Sequence, residues 1–151
     1  YALSKAWFTN RKANQNQIIA LKKNTSNFYK NIRKARSNDC LWTTFLSEKD
    51  TLKGFGYSNG FVSLSTKATN DYSDRHCVAY LVNRFISPVM ANMYHISDGD
   101  SFDQDAFATS EMVQFIWRSA IRRGEPIQIY IPSSRMRGLL EKWIDENQKL
   151  S

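Results

Sequence analysis

The sequence has no apolar run near the roughly 20 residues of a membrane-spanning helix, so no membrane span is expected. Cysteine is scarce. Cys40 and Cys77 are the only two in 151 residues, too few for a disulfide scaffold and suited to a reducing cytoplasm. His76 and His95 are the only histidines, and no Cys/His spacing fits zinc. His76 adjoins Cys77, a neighbourhood that suits packing or capping better than nucleophilic chemistry. A Gly-x-x-x-x-Gly-Lys-[Ser/Thr] phosphate loop is missing. Asp98, Asp100, Asp103 and Asp105 crowd one segment, but it lacks the Gly at position 6 and the Glu at position 12 of an EF-hand. That segment reads as a solvated acidic loop. The chain opens Tyr1-Ala2-Leu3-Ser4 without a Met or a signal-peptide pattern, which suggests a fragment or a processed piece. No internal repeat, low-complexity tract or linker is visible.

Hydrophobic residues make up 42% of the chain and aromatics 13%, a globular composition of a length that suits a single domain. Acidic residues number 14 against 21 Lys and Arg, which leaves a net charge of +7 and favours a polyanionic partner. The charge is polarised: residues 1–53 carry +8, residues 54–113 carry −4 and residues 114–151 carry +3.

Ile18, Leu21, Phe28, Ile32 and Ala35 recur at helical spacing, so residues 14–36 are expected to form a basic amphipathic helix. Residues 1–37 read as a basic helical segment preceding an α/β unit over 38–151. Cys40–Leu46 reads as a buried strand, Gly54–Gly60 as a glycine-rich loop and Phe61–Ser65 as a second strand. Val78, Leu81, Val82, Phe85 and Ile86 suggest a helix that stops at Pro88. A third helix, capped by Thr109 or Ser110, would bury Met112, Val113, Ile116, Trp117 and Ala120 and end at Gly124. Ile127–Ile131 reads as an alternating strand closed by Pro132. A final helix capped by Ser133 or Ser134 would turn Met136, Leu139, Leu140, Trp143 and Ile144 inward, with Asp145 and Glu146 at its polar end. Strands alternating with helices predict an α/β domain with a mainly parallel sheet. Trp7, Trp42, Trp117 and Trp143 sit in or beside apolar patterns and are expected in the core.

On an ideal helix Gln114, Arg118 and Arg122 share one face, with Glu111 inside the same arc. Two guanidiniums and an amide in a row suit phosphate oxygens, although a solvated face with Glu111 paired to an Arg fits the same pattern.

The segment Gln114-Phe-Ile-Trp-Arg118-Ser-Ala-Ile-Arg122-Arg-Gly124 and the strand after it resemble motif VI in the second RecA-like lobe of superfamily 2 helicases. Leu41-Trp-Thr43-Thr44-Phe45 resembles motif IV, and Phe61-Val-Ser-Leu-Ser-Thr66-Lys67-Ala68-Thr69-Asn70-Asp-Tyr72 resembles motif V. The resemblance spans residues 38–145, is most specific over 108–137, and is best to helicase-like proteins of phages and mobile elements. It implies the carboxy-terminal RecA-like lobe of a nucleic-acid-dependent ATPase. The cofactor would be ATP with Mg2+, shared with an amino-terminal RecA-like lobe in the same or an adjacent chain. Arg122 would be the arginine finger, Arg118 would sit beside it on the phosphates, and Gln114 would sense the nucleotide. Thr43, Thr44, Lys67, Thr69 and Asn70 would line the path of a single strand, DNA before RNA. Trp117 stands where the family has Gly, and Arg122 follows Arg118 by four positions where the family has three, so Arg123 competes for the finger role. The alternative is a non-enzymatic basic module that contacts nucleic acid or a protein through residues 1–53.

Overall fold

The structure, a computed structural model, describes residues 1–66, 71–93 and 103–149. Three short strands, β1 (Cys40–Thr43), β2 (Cys77–Tyr80) and β3 (Gln128–Tyr130), form a sheet in the order β1-β2-β3. Both pairings are parallel, with Cys40 opposite Cys77 and Cys77 opposite Gln128. Phe61 adds one parallel bridge to the outer edge of β1 through Trp42. Around the sheet lie six helices among the described residues: α1 (Lys5–Thr9), α2 (Arg11–Asn27), α3 (Lys49–Leu52), α4 (Pro88–Met93), α5 (Gln104–Ile116) and α6 (Ser134–Gln148).

Side chains alternate across the sheet, as strand geometry requires. Cys40, Trp42, Cys77, Ala79 and Leu81 face one helical layer, where Phe8, Ile18, Leu21, Phe28 and Tyr29 meet them. Leu41, Val78, Tyr80 and Val82 face the other, built from Ala108, Met112, Phe115 and Ile116 of α5 and Met136 of α6. The result is an α/β/α sandwich of the Rossmann-like kind, with α1 and α2 as its first layer. Polar atoms inside that layer are satisfied by the chain itself. The Tyr29 hydroxyl donates to the Leu41 carbonyl at 2.7 Å, and the Trp42 indole donates to the Tyr57 carbonyl at 2.9 Å.

Several elements match their sequence pattern closely. α2 starts slightly earlier than expected and continues as a π turn over Phe28–Ile32. β3 and α6 lie where alternation and the Ser133 cap put them. Others differ. Val78–Ile86 is not a helix: Cys77–Tyr80 is the central strand, and Pro88 opens α4, where its missing N–H costs nothing. A short apolar run fits helix and strand alike, and here burial on both faces decides for strand. Phe61–Ser65 is no strand either, since the chain turns from Ser63 to Thr66 after the single bridge at Phe61.

The third helix begins at Gln104, with the Asp103 carboxylate accepting from the Ala106 N–H, and ends at Ile116. Ser119 breaks it: its hydroxyl donates to the Ile116 carbonyl and caps a separate turn over Ala120–Arg123. The acidic residues Asp98 and Asp100, and also His95, lie outside the described residues. Asp103 and Asp105 belong to the start of α5 rather than to a solvated loop. Of the four tryptophans, Trp42 is fully buried and Trp117 is 51% exposed, which removes Trp117 from the expected core face.

The sheet's amino-terminal edge is clasped by His76. Its Nδ1 lies 3.2 Å from Asp39 and its Nε2 lies 2.8 Å from Glu125, joining the starts of β1, β2 and β3. Hydrogen bonds to Glu125 first, and then to Asp39, raise the His76 pKa above its usual value of 6.5. Because the folded-state pKa is the higher one, this stabilisation is complete below roughly pH 6.5 and is lost as pH rises through the folded-state pKa. Urea midpoints should therefore fall with rising pH from about 6.5 upward, and His76→Gln should flatten that dependence.

Two glycines test the packing independently. A Cβ on Gly60 would collide with the Cys40 carbonyl oxygen of the adjoining backbone, whereas a Cβ on Gly138 of α6 meets nothing within 4 Å. Gly60→Ala should lower stability by about 2 kcal/mol or more. Gly138→Ala should raise it by roughly 0.5–1 kcal/mol through helix propensity alone. Urea denaturation of both variants reads the two signs.

Candidate functional site

The end of α5 at Ile116 separates the three residues that an uninterrupted helix would align. Gln114 is exposed, and its amide donates to Ser110 Oγ at 3.1 Å. Arg118 turns inward and is 9% exposed. Its Nη1 donates to the Ser63 carbonyl at 3.4 Å, and its Nη2 donates to the Thr66 carbonyl. Burial lowers the Arg118 pKa, with Glu111 the main opposing influence. Its two terminal nitrogens are thus committed to holding the turn over 63–66 against the end of α5.

Arg122 is placed differently. It sits exposed on the Ala120–Arg123 turn, and its guanidinium has no hydrogen bond or ion pair among the described residues. Ser119 caps the start of that turn, and Gly124, at φ 74°, closes it in the left-handed conformation that glycine tolerates best. Arg123 instead donates to the Ser73 carbonyl at 3.4 Å and pairs with Glu125 at 3.2 Å. Trp117, Ile121, Ile127, Trp143 and Ile144 line an apolar groove of about 360 Å³ running from this turn along β3 and α6.

Thr43 and Thr44 are both fully buried. The Thr44 hydroxyl donates to the Leu81 carbonyl at 3.2 Å, and Thr43 Oγ1 has no hydrogen-bond partner among the described residues. Neither reaches the surface on which a strand would lie. Lys67, Thr69 and Asn70 lie outside the described residues.

A surface on the opposite helical layer combines charge with an aromatic ring. The first 53 residues contain three acids, and each is already engaged: Glu48 with Arg11 at 2.7 Å, Asp50 with Lys53 at 3.0 Å, and Asp39 with His76 at 3.2 Å. Lys22, Lys23, Lys30, Arg33, Lys34 and Arg36 are exposed and have no ion pair among the described residues. Lys22, Lys23 and Lys30, with Ile19, Ser26, Asn27 and Thr51, line an open groove of about 760 Å³. At its end stands Phe55, 87% exposed, with Lys30 Nζ 5.1 Å from its ring centroid. Gly56, at φ 91°, lets the loop reverse beside Lys30, while the buried Tyr57 anchors it by donating to the Leu52 carbonyl at 2.6 Å. Phe55 is missed by the sequence reading, which takes Gly54–Gly60 only as a loop; an aromatic residue between two glycines, downstream of a basic helix, is the signal that could have found it. Among the described residues no group of three or more His, Cys, Asp or Glu could hold a metal ion, and no helix is long and apolar enough to cross a membrane.

This Rossmann-like sandwich with a basic first layer has a counterpart among known proteins. A family model described as the YonV C-terminal Rossmann-like domain matches residues 1–144. The SPbeta prophage-derived uncharacterized protein YonV of Bacillus subtilis (strain 168) is 50% identical to this chain over 149 residues. The match covers 99% of this chain and 35% of the relative, so the chain spans well under half of the length of the curated relative it matches. A prophage origin for the relative agrees with the expected likeness to phage and mobile-element proteins. No solved structure matches the chain. With nearly its whole length matched and half its residues identical to a phage-derived relative, the chain belongs to the family of YonV C-terminal Rossmann-like domains.

Proposed function

We propose that this domain binds single-stranded nucleic acid on the basic face of α2, without reading base sequence. The observation that carries this reading is Phe55, an 87% exposed ring beside Lys30, on a helical layer with six exposed cations that have no ion pair among the described residues. A polyphosphate backbone supplies the anions that the chain's own acids do not, and each base presents a π face to the ring. DNA is the first expectation and RNA the second. In a longer protein the domain would serve as a carboxy-terminal module that holds the strand.

A second reading rests on Arg122. An exposed guanidinium without a partner among the described residues, on a turn capped at both ends and beside an apolar groove, suits a phosphate presented by another lobe. In that reading the domain is the carboxy-terminal RecA-like lobe of a nucleic-acid-dependent ATPase. ATP with Mg2+ would be held by an amino-terminal lobe, and Arg122 would offset charge on the transferred phosphate. Arg118, tied to Ser63 and Thr66, would act as a positioning residue.

Fluorescence anisotropy of a labelled single-stranded oligonucleotide across a salt series tests the first reading. Affinity should fall steeply with salt. Lys22→Ala with Lys30→Ala should flatten the slope, by about 0.7 per cation lost. Phe55→Ala should cost about 1–3 kcal/mol of binding at an unchanged slope. Equal affinity in all variants would overturn it. For the second reading, Arg122→Ala in a full-length relative should abolish nucleic-acid-stimulated ATP hydrolysis while ATP binding persists, and unchanged turnover would contradict it.

A further inference from the structure

Among the described residues a lysine amine lies over an aromatic ring at two places, and the two rings flank the same loop. Lys30 Nζ stands 5.1 Å from the centroid of Phe55, and Lys49 Nζ stands 5.1 Å from the centroid of Phe61. The first pair belongs to the α2 surface. The second pair lies beyond it, at the outer edge of β1. Lys49 opens α3, is half-buried, and has no ion pair among the described residues, while its neighbour Asp50 pairs with Lys53 at 3.0 Å.

Phe61 is held firmly. Its backbone bridges to Trp42, and its ring meets the Trp42 indole at a centroid distance of 5.0 Å and an angle of 65°. Gly60, just before it, lies against the Cys40 carbonyl, where a Cβ has no room. The ring packs against the cluster under the α1–α2 layer, beside Leu52 and Tyr57, yet stays half-exposed. α3 joins the two places: Thr51 lines the α2 groove, and Lys49, two residues earlier, reaches Phe61. Phe61 follows Phe55 by six positions, so their Cα atoms are at most about 22 Å apart.

Relative magnitudes decide what such a pair does when a base arrives. An amine over an exposed ring is favoured by a factor of about 2–5. A nucleobase stacked on a ring is favoured by a factor of about 5–150. The base therefore takes the ring face, and the displaced amine turns to the adjacent phosphate.

We propose that Phe61 and Lys49 form a second stacking station for a single strand, which runs from the α2 groove across α3 to the outer edge of β1. This rests on the α2 reading and extends it. The preferred ligand is a flexible strand long enough to place unpaired bases on both rings. A duplex keeps its bases stacked on one another and gains nothing from either ring.

Fluorescence anisotropy of a labelled oligothymidylate of about 16 nucleotides, the upper end of the range for one binding fold, tests the station. Lys49→Ala should flatten the salt slope by about 0.7, and Lys49→Arg should restore it. Phe61→Leu, which keeps an apolar side chain against Trp42, should weaken binding about fivefold or more at an unchanged slope. The same variant should leave the affinity for a duplex of equal length unchanged. Lys49→Ala opens no cavity in the core and decides alone if Phe61→Leu fails to fold. The station is overturned if Phe55→Ala weakens binding while Lys49→Ala and Phe61→Leu leave affinity and slope as they are. It is also overturned if Phe61→Leu weakens duplex binding equally. If Phe55→Ala is silent as well, the α2 reading itself fails and the station falls with it.

Discussion

Residues Cys77 to Val82 are at most 6% exposed, in and just beyond a strand paired in parallel along both edges. A strand buried on both faces needs apolar cover on each side, and parallel strands are connected by crossovers that supply it. The amino-terminal helices are therefore part of the sandwich. Ile18, Leu21, Thr25 and Phe28 seal one face of the sheet, and this burial fixes which side of α2 is turned to solvent. The lysines face outward because the other side is already committed. A polarised charge distribution in the sequence thus becomes a fixed basic surface.

The same constraint explains what could be read from the residues in advance. α2, β3 and α6 each show a single period with a clear boundary, such as the Ser133 cap of α6 and the alternation around Ile129. β2 was not legible in the same way. Val78, Leu81, Val82, Phe85 and Ile86 fit helical spacing, and only the register against Cys40–Thr43 shows that Cys77–Tyr80 is a strand. The third helix was legible in its core residues Met112 and Ile116 but not in its end. Ser119 interrupts it by bonding back to Ile116, a local competition that periodicity does not record. That interruption is why Arg118 and Arg122 part company, one inward and one outward.

The candidate sites follow the same division. The cations of α2 were visible as composition, and the Gly54-Phe55-Gly56 turn was visible as a loop. Their meeting depends on Tyr57 packing beneath the loop and stacking on Tyr29 at 5.0 Å. Arg122 was legible as a residue type suited to phosphate, while its exposure comes from the capped turn that carries it. The basic face and the Arg122 edge lie on different sides of the sheet, so a longer protein could use both.

The central claim is that a nucleic-acid strand lies across α2 and the Phe55 loop. An amide chemical-shift titration of the labelled domain with oligothymidylate tests it most directly. The account predicts shifts concentrated at residues 19–36 and 53–57, with the 116–125 turn unchanged. Shifts concentrated at 116–125, with α2 silent, would contradict it.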